Sequence, residues 1–358
     1  MKTKQILLIM ITSFFLLLGC SNNQDSFEES VSASNKSEYN GSSEIHREYP
    51  KEENEVLETF GAIATSIING AGKGYDGIFM NQLISFHAYG DNFTEFNNGE
   101  LYDSAGNEHN ERQLFGEDLE EWDAEDNQFA AVPGTLKVAV YYGNVANLTF
   151  TSDFILTHKT YGLITVNNLI TLLFVKTEGE WKLAHEHHSP VYNEESQSAS
   201  KATISKNSVN NATTSQAQEE VLATFGAIAQ SIIEGAGKGY DGEYMDQLIS
   251  FHAYGRKFTE FNGGQSFDSA GNEHNERQLF GEDIKEWDDN LNKFAAVPGT
   301  LKVAVFNKNV ANLTFISDFV LTHKEYGEIT VNNLITLLFV KIKREWKIVH
   351  EHHSPANI

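Results

Sequence analysis

The chain has 358 residues and a formal net charge of −24, from 50 acidic and 26 basic side chains. A surface this acidic repels phosphate backbones, so nucleic acid is excluded as an expected partner. The sequence holds 1 cysteine, which rules out an internal disulfide.

At the N-terminus, Lys2 and Lys4 precede an apolar run from Ile6 to Leu18. The run is shorter than the roughly 18 or more apolar residues of a comfortable membrane span. It ends in Leu17-Leu18-Gly19-Cys20, which resembles a bacterial lipobox. That resemblance implies a lipoprotein signal peptide over 1–19, cleavage before Cys20 and lipidation of its thiol. Residues 20–53 are rich in Ser, Asn and Glu and poor in apolar residues, and are expected to form a disordered tether. The expected location is the cell envelope, periplasmic or cell-surface, with the membrane met through the lipid anchor alone.

The remainder is a duplication. Val56 matches Val221, His87 matches His252, Trp122 matches Trp287 and Trp181 matches Trp346, always 165 residues apart. From Glu55 to Pro190, 106 of 136 positions are identical to their counterparts without a gap. A period this long describes two complete domains, 54–191 and 218–358, and not a solenoid of short repeats. The polar stretch 192–217 between them reads as a linker.

In the first copy, Val56, Phe60, Ile63 and Ile67 recur at helical spacing, and Gly70 and Gly72 stop the helix. A short second helix is expected from Gly77 to about Ile84. Phe86 to Phe96 reads as a strand, followed by a turn at Asn97-Asn98-Gly99. Glu108 to Trp122 has the spacing of a third helix, with Glu108 facing Arg112 at i,i+4. Beyond Pro133 come β-rich segments linked by tight turns near Gly143-Asn144, Tyr161-Gly162 and Glu178-Gly179. Helices first, then hairpin-linked strands, predict an α+β fold with helices on one face of an antiparallel sheet.

The last strand of each copy, Trp181 to Pro190 and Trp346 to Pro355, carries Trp-x-Leu/Ile-x-His-x-His-x-Ser. With Gly116-Glu117-Asp118 to Trp122, Val138 to Phe150 and Asn168 to Val175, this pattern resembles the SnoaL-like branch of the nuclear transport factor 2-like (ketosteroid isomerase-like) superfamily. The resemblance covers nearly all of both copies. It implies two tandem cone-shaped domains, each a curved antiparallel sheet wrapped around N-terminal helices and enclosing a pocket. It also implies pairing through outer sheet faces, as an intramolecular pseudo-dimer or a homodimer. Ketosteroid isomerases use an Asp base with an oxyanion hole of Tyr and protonated Asp. The first helix here offers Phe60 and no Tyr, so no catalytic residue is carried over.

Strand alternation places Trp181, Leu183, His185, His187 and Ser189 on one face, expected to look inward. Lys182, Ala184, Glu186 and His188 are expected on the outer face. The pocket candidates are therefore His87, Tyr89, Arg112, Asn168, Trp181, His185 and His187, and in the second copy His252, Tyr254, Arg277, Asn333, Trp346, His350 and His352. The histidines admit three readings: structural hydrogen bonding, ligand or acid–base work, or a metal pair at His185-x-His187 and His350-x-His352. No inward carboxylate completes a metal set, and no cofactor is implied. His109 and His158 are expected at a polar turn and at the sheet rim, and Asn167 or Asn168 facing the pocket. Gly70 to Gly74 has neither the position nor the spacing of a phosphate loop. The copies differ at Asp91-Asn92 against Arg256-Lys257 and at Tyr142-Gly143 against Asn307-Lys308, so the two entrances are expected to differ in charge.

The leading expectation is binding of a small, largely apolar molecule. The alternatives are an isomerase, cyclase or hydrolase using pocket histidines for proton transfer, and a scaffold or dimerisation module.

Overall fold

The computed structural model describes residues 44–123, 125–191 and 215–357. The expected signal peptide, Cys20 and most of the linker lie outside them. The tether expected to reach residue 53 stops earlier: Glu44–His46 form a 3-10 turn, and Tyr49 is buried and donates to Glu44 at 2.8 Å.

Helix α1, Pro50–Gly70, starts with proline in its first turn and Glu52 and Glu53 near its N-terminus, where both suit the unpaired amides. Val56, Ile63 and Ile67 form its buried stripe. Gly72 adopts φ 65° just beyond, and a Cβ there would lie 2.2 Å from the Leu119 carbonyl. That close approach lets the loop dock by Gly72 N to Phe115 O (2.9 Å) and Gly74 N to Gly116 O (2.7 Å). The glycines therefore serve packing.

Helix α2, Ile78–Ser85, follows. The strand expected over Phe86 to Phe96 is shorter, because Gly90 at φ 148° interrupts it. What forms is an isolated bridge from His87 to Leu183 and then β1, Thr94–Asn97, which turns at Asn98-Gly99 into β2, Glu100–Tyr102. Helix α3, Ser104–Glu111, begins where Asp103 accepts from Gly106 N, earlier than its apolar spacing suggested. It widens into a π-helical stretch, Arg112–Asp118, and Trp122 lies beyond it.

Six more strands complete the domain: β3 Gln128–Ala131, β4 Lys137–Tyr141, β5 Val145–His158, β6 Gly162–Val166, β7 Asn168–Thr177 and β8 Glu180–Pro190. The sheet order is β2-β1-β8-β7-β5-β3, with β4 and β6 also on β5. The expected antiparallel sheet has one exception, β1 running parallel to β8. Strand β5 sets the curvature. Its first half pairs with β4 and β7, its second with β3 and β6. At the changeover, Ser152 accepts from Asn168 N (2.7 Å) and donates to Val166 O (2.9 Å), while Asn167 donates to Ser152 O (2.9 Å). The two asparagines thus hold a sheet corner by these bonds.

The sheet wraps its concave face around the helices over a core that includes Val56, Ile63, Met80, Leu148, Phe150, Phe174, Trp181 and Leu183. The second copy repeats it: α4 Gln216–Gly235, α5 Glu243–Ser250, β9 Thr259–Asn262, β10 Gln265–Phe267, α6 Ser269–Glu276, β11 Lys293–Ala296, β12 Lys302–Phe306, β13 Val310–His323, β14 Gly327–Val331, β15 Asn333–Ile342 and β16 Glu345–Pro355. The last three residues assigned to the linker belong here instead, Ser215 capping α4.

The convex faces of the two sheets pack on each other. Tyr141, Val145, Leu173, Val175 and Ala184 of the first domain join Val310, Leu338, Val340 and Val349 of the second in one buried apolar cluster. The Arg256-Lys257 difference belongs to this junction, where both residues line a cleft with Lys137, Asn147 and Thr149 of the first domain, and not to a concave-face entrance. Lys257 Nζ is buried, donating to the carbonyls of Arg47 (2.6 Å), Val140 (2.7 Å) and Glu44 (3.3 Å).

Candidate functional site

The site is decided by one extra residue in β8. Leu173 pairs with His185, but the next residue, Phe174, pairs with Leu183. Ala184 is left unpaired as a β-bulge, and side-chain parity reverses across it. Trp181 and Leu183 face the concave core, while Ala184 joins the convex cluster. From His185 onward the expected faces are exchanged: His185, His187 and Ser189 are convex, and Glu186 and His188 are concave. The same bulge at Val349 exchanges His350 and His352 with Glu351 and His353. The inward placement of His185, His187, His350 and His352, and with it their reading as a metal pair, is corrected. The reason is local, since uninterrupted alternation assumes no bulge.

On the concave face a polar cluster forms between β8, β1 and α3. His87 Nε2 lies 3.0 Å from Glu186 Oε1 and 3.5 Å from Glu111 Oε2. Its Nδ1 lies 3.2 Å from the Leu83 carbonyl, which can only accept, so Nδ1 carries a proton. Asn107 Nδ2 donates to Glu95 Oε2 (2.9 Å) and Glu186 Oε1 (3.3 Å), and Asn107 Oδ1 accepts from Tyr89 (2.5 Å). His188 Nε2 approaches Glu186 Oε2 at 3.4 Å. The Tyr89 ring stacks on His87 at 4.9 Å. Glu111 Oε2 is shut off from solvent and receives no hydrogen bond.

Burial alone would press the His87 pKa down, but the charge of Glu111 and the bond to Glu186 outweigh it and raise the value to about 9. Burial also resists ionisation of Glu186, yet hydrogen bonds from His188 and His87 hold its pKa below the usual carboxylate range. Glu111, whose burial no hydrogen bond offsets, is pushed up. Glu95 is raised by burial and by the neighbouring Glu186 charge. The second domain repeats this with His252 2.8 Å from Glu351 and 3.7 Å from Glu276. In each domain the three groups, His87, Glu111 and Glu186 or His252, Glu276 and Glu351, bring donor atoms within 4.8 Å of one another.

The convex histidines are arranged differently. His185 Nδ1 is 3.0 Å from the Thr94 carbonyl, which can only accept, and 2.7 Å from Thr94 Oγ1, so it carries a proton. Its Nε2 is therefore bare and accepts from Thr336 of the other domain at 2.9 Å. Thr336, its proton committed, accepts from His187 Nδ1 at 2.9 Å, and His187 Nε2 accepts from Ser354 at 2.8 Å. The mirror chain runs from the Thr259 carbonyl through His350, Thr171 and His352 to Ser189. His187 and His352 stack at 3.6 Å on the line between the domains. Every ring is neutral. Burial holds His185 and His350 down at about 3, and burial with neighbouring imidazoles holds His187 and His352 well below their ordinary value.

The other candidates scatter. His87 and Tyr89, with His252 and Tyr254, enter the concave cluster. Arg112 binds Glu108 (2.9 Å), the Tyr75 carbonyl (3.0 Å) and Asn81 (2.9 Å), and Arg277 binds Glu273 and Asp246, so both tie helices together. Trp181 and Trp346 are core residues whose indoles donate to Glu55 (3.0 Å) and Glu220 (3.1 Å). Asn168 and Asn333 start their strands beside the corner serines, to which their backbone amides donate at 2.7 Å. His109 meets Tyr75 at 3.0 Å, and His158 accepts from two amides of its hairpin. Glu95, Asn107, Glu111, Glu186 and His188 are the site residues that sequence reasoning missed. Glu111 stands four residues after Asn107 on a helix, a spacing that could have joined the two.

A curved mixed sheet closed over N-terminal helices, with a polar cluster on its concave face, defines the nuclear transport factor 2-like class. The SnoaL-like domain family matches residues 58–193 and 249–358, and the chain belongs to that family, carrying two such domains in tandem. Among solved structures it is similar to a nuclear transport factor 2-like superfamily protein from Salmonella enterica serovar Typhimurium, with 14% identity, 39% of this chain and 91% of that one covered, and a TM-score of 0.32. It is also similar to a ketosteroid isomerase-like protein from Erwinia carotovora atroseptica (15% identity, 40% and 100% covered, TM-score 0.31). A third similarity is to the association domain of the C. elegans calcium/calmodulin-dependent kinase CaMKII (11%, 38% and 94%, TM-score 0.29). The search of curated proteins found no match.

Proposed function

We propose that the chain is a lipid-anchored cell-envelope protein whose two SnoaL-like domains each bind a small, largely apolar molecule on the concave face. The observation that carries this is His188. It sits on the concave face beside Glu186, yet keeps 19% of its side chain accessible where Glu186 keeps 6%. Solvent therefore reaches His188 at the edge of the polar cluster. The neighbouring rows of the sheet are apolar, Ile170 and Leu172 on β7 and Leu148 and Phe150 on β5, all buried beneath α1, with Phe60 tilted over Phe150 at 5.1 Å. An apolar wall with a few convergent polar groups at one end is the usual make-up of a small-ligand site. Anchoring at Cys20 is supported by the Lys2, Lys4, Ile6–Leu18 and Leu-Leu-Gly-Cys sequence.

The test is titration of the full chain with an apolar fluorescent probe. His188→Ala with His353→Ala is expected to lower probe affinity about tenfold, the equivalent of ~1.4 kcal/mol. Unchanged affinity contradicts the reading. For the anchor, Cys20→Ala is expected to move the protein from the membrane fraction to the soluble one.

A further inference from the structure

We infer that His87, Glu111 and Glu186 form a site for a divalent first-row transition ion, repeated in the second domain by His252, Glu276 and Glu351. The inference concerns the same enclosure as the binding reading but does not require an organic ligand. The donors already lie close to the spacing a bound ion imposes, all within 4.8 Å of one another. A cation about 2.1 Å from each donor holds neighbouring donors about 3.0–3.4 Å apart. His87 Nε2 stands 3.0 Å from Glu186 Oε1 and 3.5 Å from Glu111 Oε2, and the corresponding second-domain distances are 2.8 and 3.7 Å.

Two further features point to a ligand at this spot. Glu111 Oε2 is enclosed, on a side chain 11% accessible, and no hydrogen-bond donor reaches it; Glu276 Oε2 is in the same condition. Among the described residues, the nearest cationic partner to each is the imidazole nitrogen that would itself be a ligand. The second feature is the support behind the ligands. The Leu83 carbonyl accepts a hydrogen bond from His87 Nδ1 at 3.2 Å, fixing the tautomer that leaves Nε2 to bind a metal. Asn107 on α3 and His188 on β8 hold the two oxygens of Glu186 at 3.3 and 3.4 Å. Ligating histidines and carboxylates are commonly oriented by such outer partners.

The donor set selects the ion. One imidazole and two carboxylates suit manganese, ferrous iron or zinc, offer no thiolate to a soft ion and too few oxygens for calcium. Three protein ligands leave further coordination positions open. Three carboxylates, Glu95, Glu111 and Glu186, share this enclosure with two imidazoles, His87 and His188, so a cation improves its charge balance.

Metal-stripped full-length protein titrated with Mn²⁺, followed by calorimetry and by the Mn²⁺ paramagnetic resonance signal, is expected to take up two ions per chain. Glu111→Gln should take up one, and Glu111→Gln with Glu276→Gln none, with far-UV circular dichroism unchanged. Uptake of two ions by the double variant, or no uptake by the wild type, overturns the inference. A second readout needs no variant: the wild-type thermal midpoint is expected to rise with saturating Mn²⁺ or Zn²⁺ and not with Ca²⁺. A midpoint indifferent to all three ions overturns it equally. None of these readouts depends on binding of the apolar probe, so either reading can fail without the other.

Discussion

The two faces of β8 place the same kind of side chain in opposite chemical states. On the convex face, His185 and His187 meet hydroxyls and a carbonyl, which supply every proton and lone pair the rings need without charge. On the concave face, His188 and the facing His87 meet carboxylates, which favour the charged ring. Both environments are buried, so burial alone does not decide protonation. The partner does. The convex arrangement joins two domains, whereas the concave one leaves an acceptor on Glu111 unfilled.

The most severe way to break this contrast is to put charge on the convex face. His187→Asp with His352→Asp sets two carboxylates in the buried junction where the two rings now stack at 3.6 Å, and an uncompensated buried charge is strongly destabilising. The expected outcome is loss of soluble, cooperatively folding protein, read by expression and circular dichroism. Next is Thr336→Val, which leaves His185 Nε2 and His187 Nδ1 facing a methyl group. Each orphaned buried group costs about 1–3 kcal/mol, so the urea midpoint should fall well beyond that of Thr330→Val, a substitution on exposed β14.

Acid should sharpen the contrast. The convex rings have folded-state pKa values below the unfolded value of 6.5. They are neutral when folded, so their contribution to stability is complete above that value and is lost as pH falls from about 6.5 toward 3. Each ring left uncharged removes about 1.4 kcal/mol per pH unit in this window. The groups facing them are Thr94, Thr259, Thr171, Thr336, Ser189, Ser354 and each other, with Glu186 and Glu351 behind. Unfolding followed from pH 7 to pH 4 should show this slope, and His187→Gln with His352→Gln should flatten it. The smallest expected effect is at Lys257→Asn, which installs the first copy's residue. It releases the carbonyls of Glu44, Arg47 and Val140 and should speed proteolysis near residues 44–49 while lowering the unfolding midpoint less than Thr336→Val does.

The fold was legible because period and duplication are strong signals. The α1 stripe, the Asn98-Gly99 turn and the β-rich second half all follow from spacing and turn chemistry. The site was half legible. His87 and Tyr89, expected on one face of a strand, do stack on each other in the concave cluster, but the segment that carries them is mostly loop. Glu186 was assigned outward because one inserted residue is invisible to an alternation argument when both faces of the strand are buried. In Ala184-His185-Glu186-His187 no exposed position remains to reveal which parity holds. Glu95 turns inward because β1 lies parallel on β8, and Asn107 and Glu111 join it from α3, a helix whose polar sequence reads as surface.

The partition of imidazoles by the bulge is tested most directly by the ring-nitrogen spectrum of ¹⁵N-histidine-labelled, metal-free protein between pH 8 and pH 5. His185, His187, His350 and His352 should appear as neutral rings protonated at Nδ1 and should not titrate in that range, while His87 and His252 stay doubly protonated through neutral pH. Titration of His185 or His187 near 6.5, or neutral spectra for His87 and His252 at pH 6, would contradict the account.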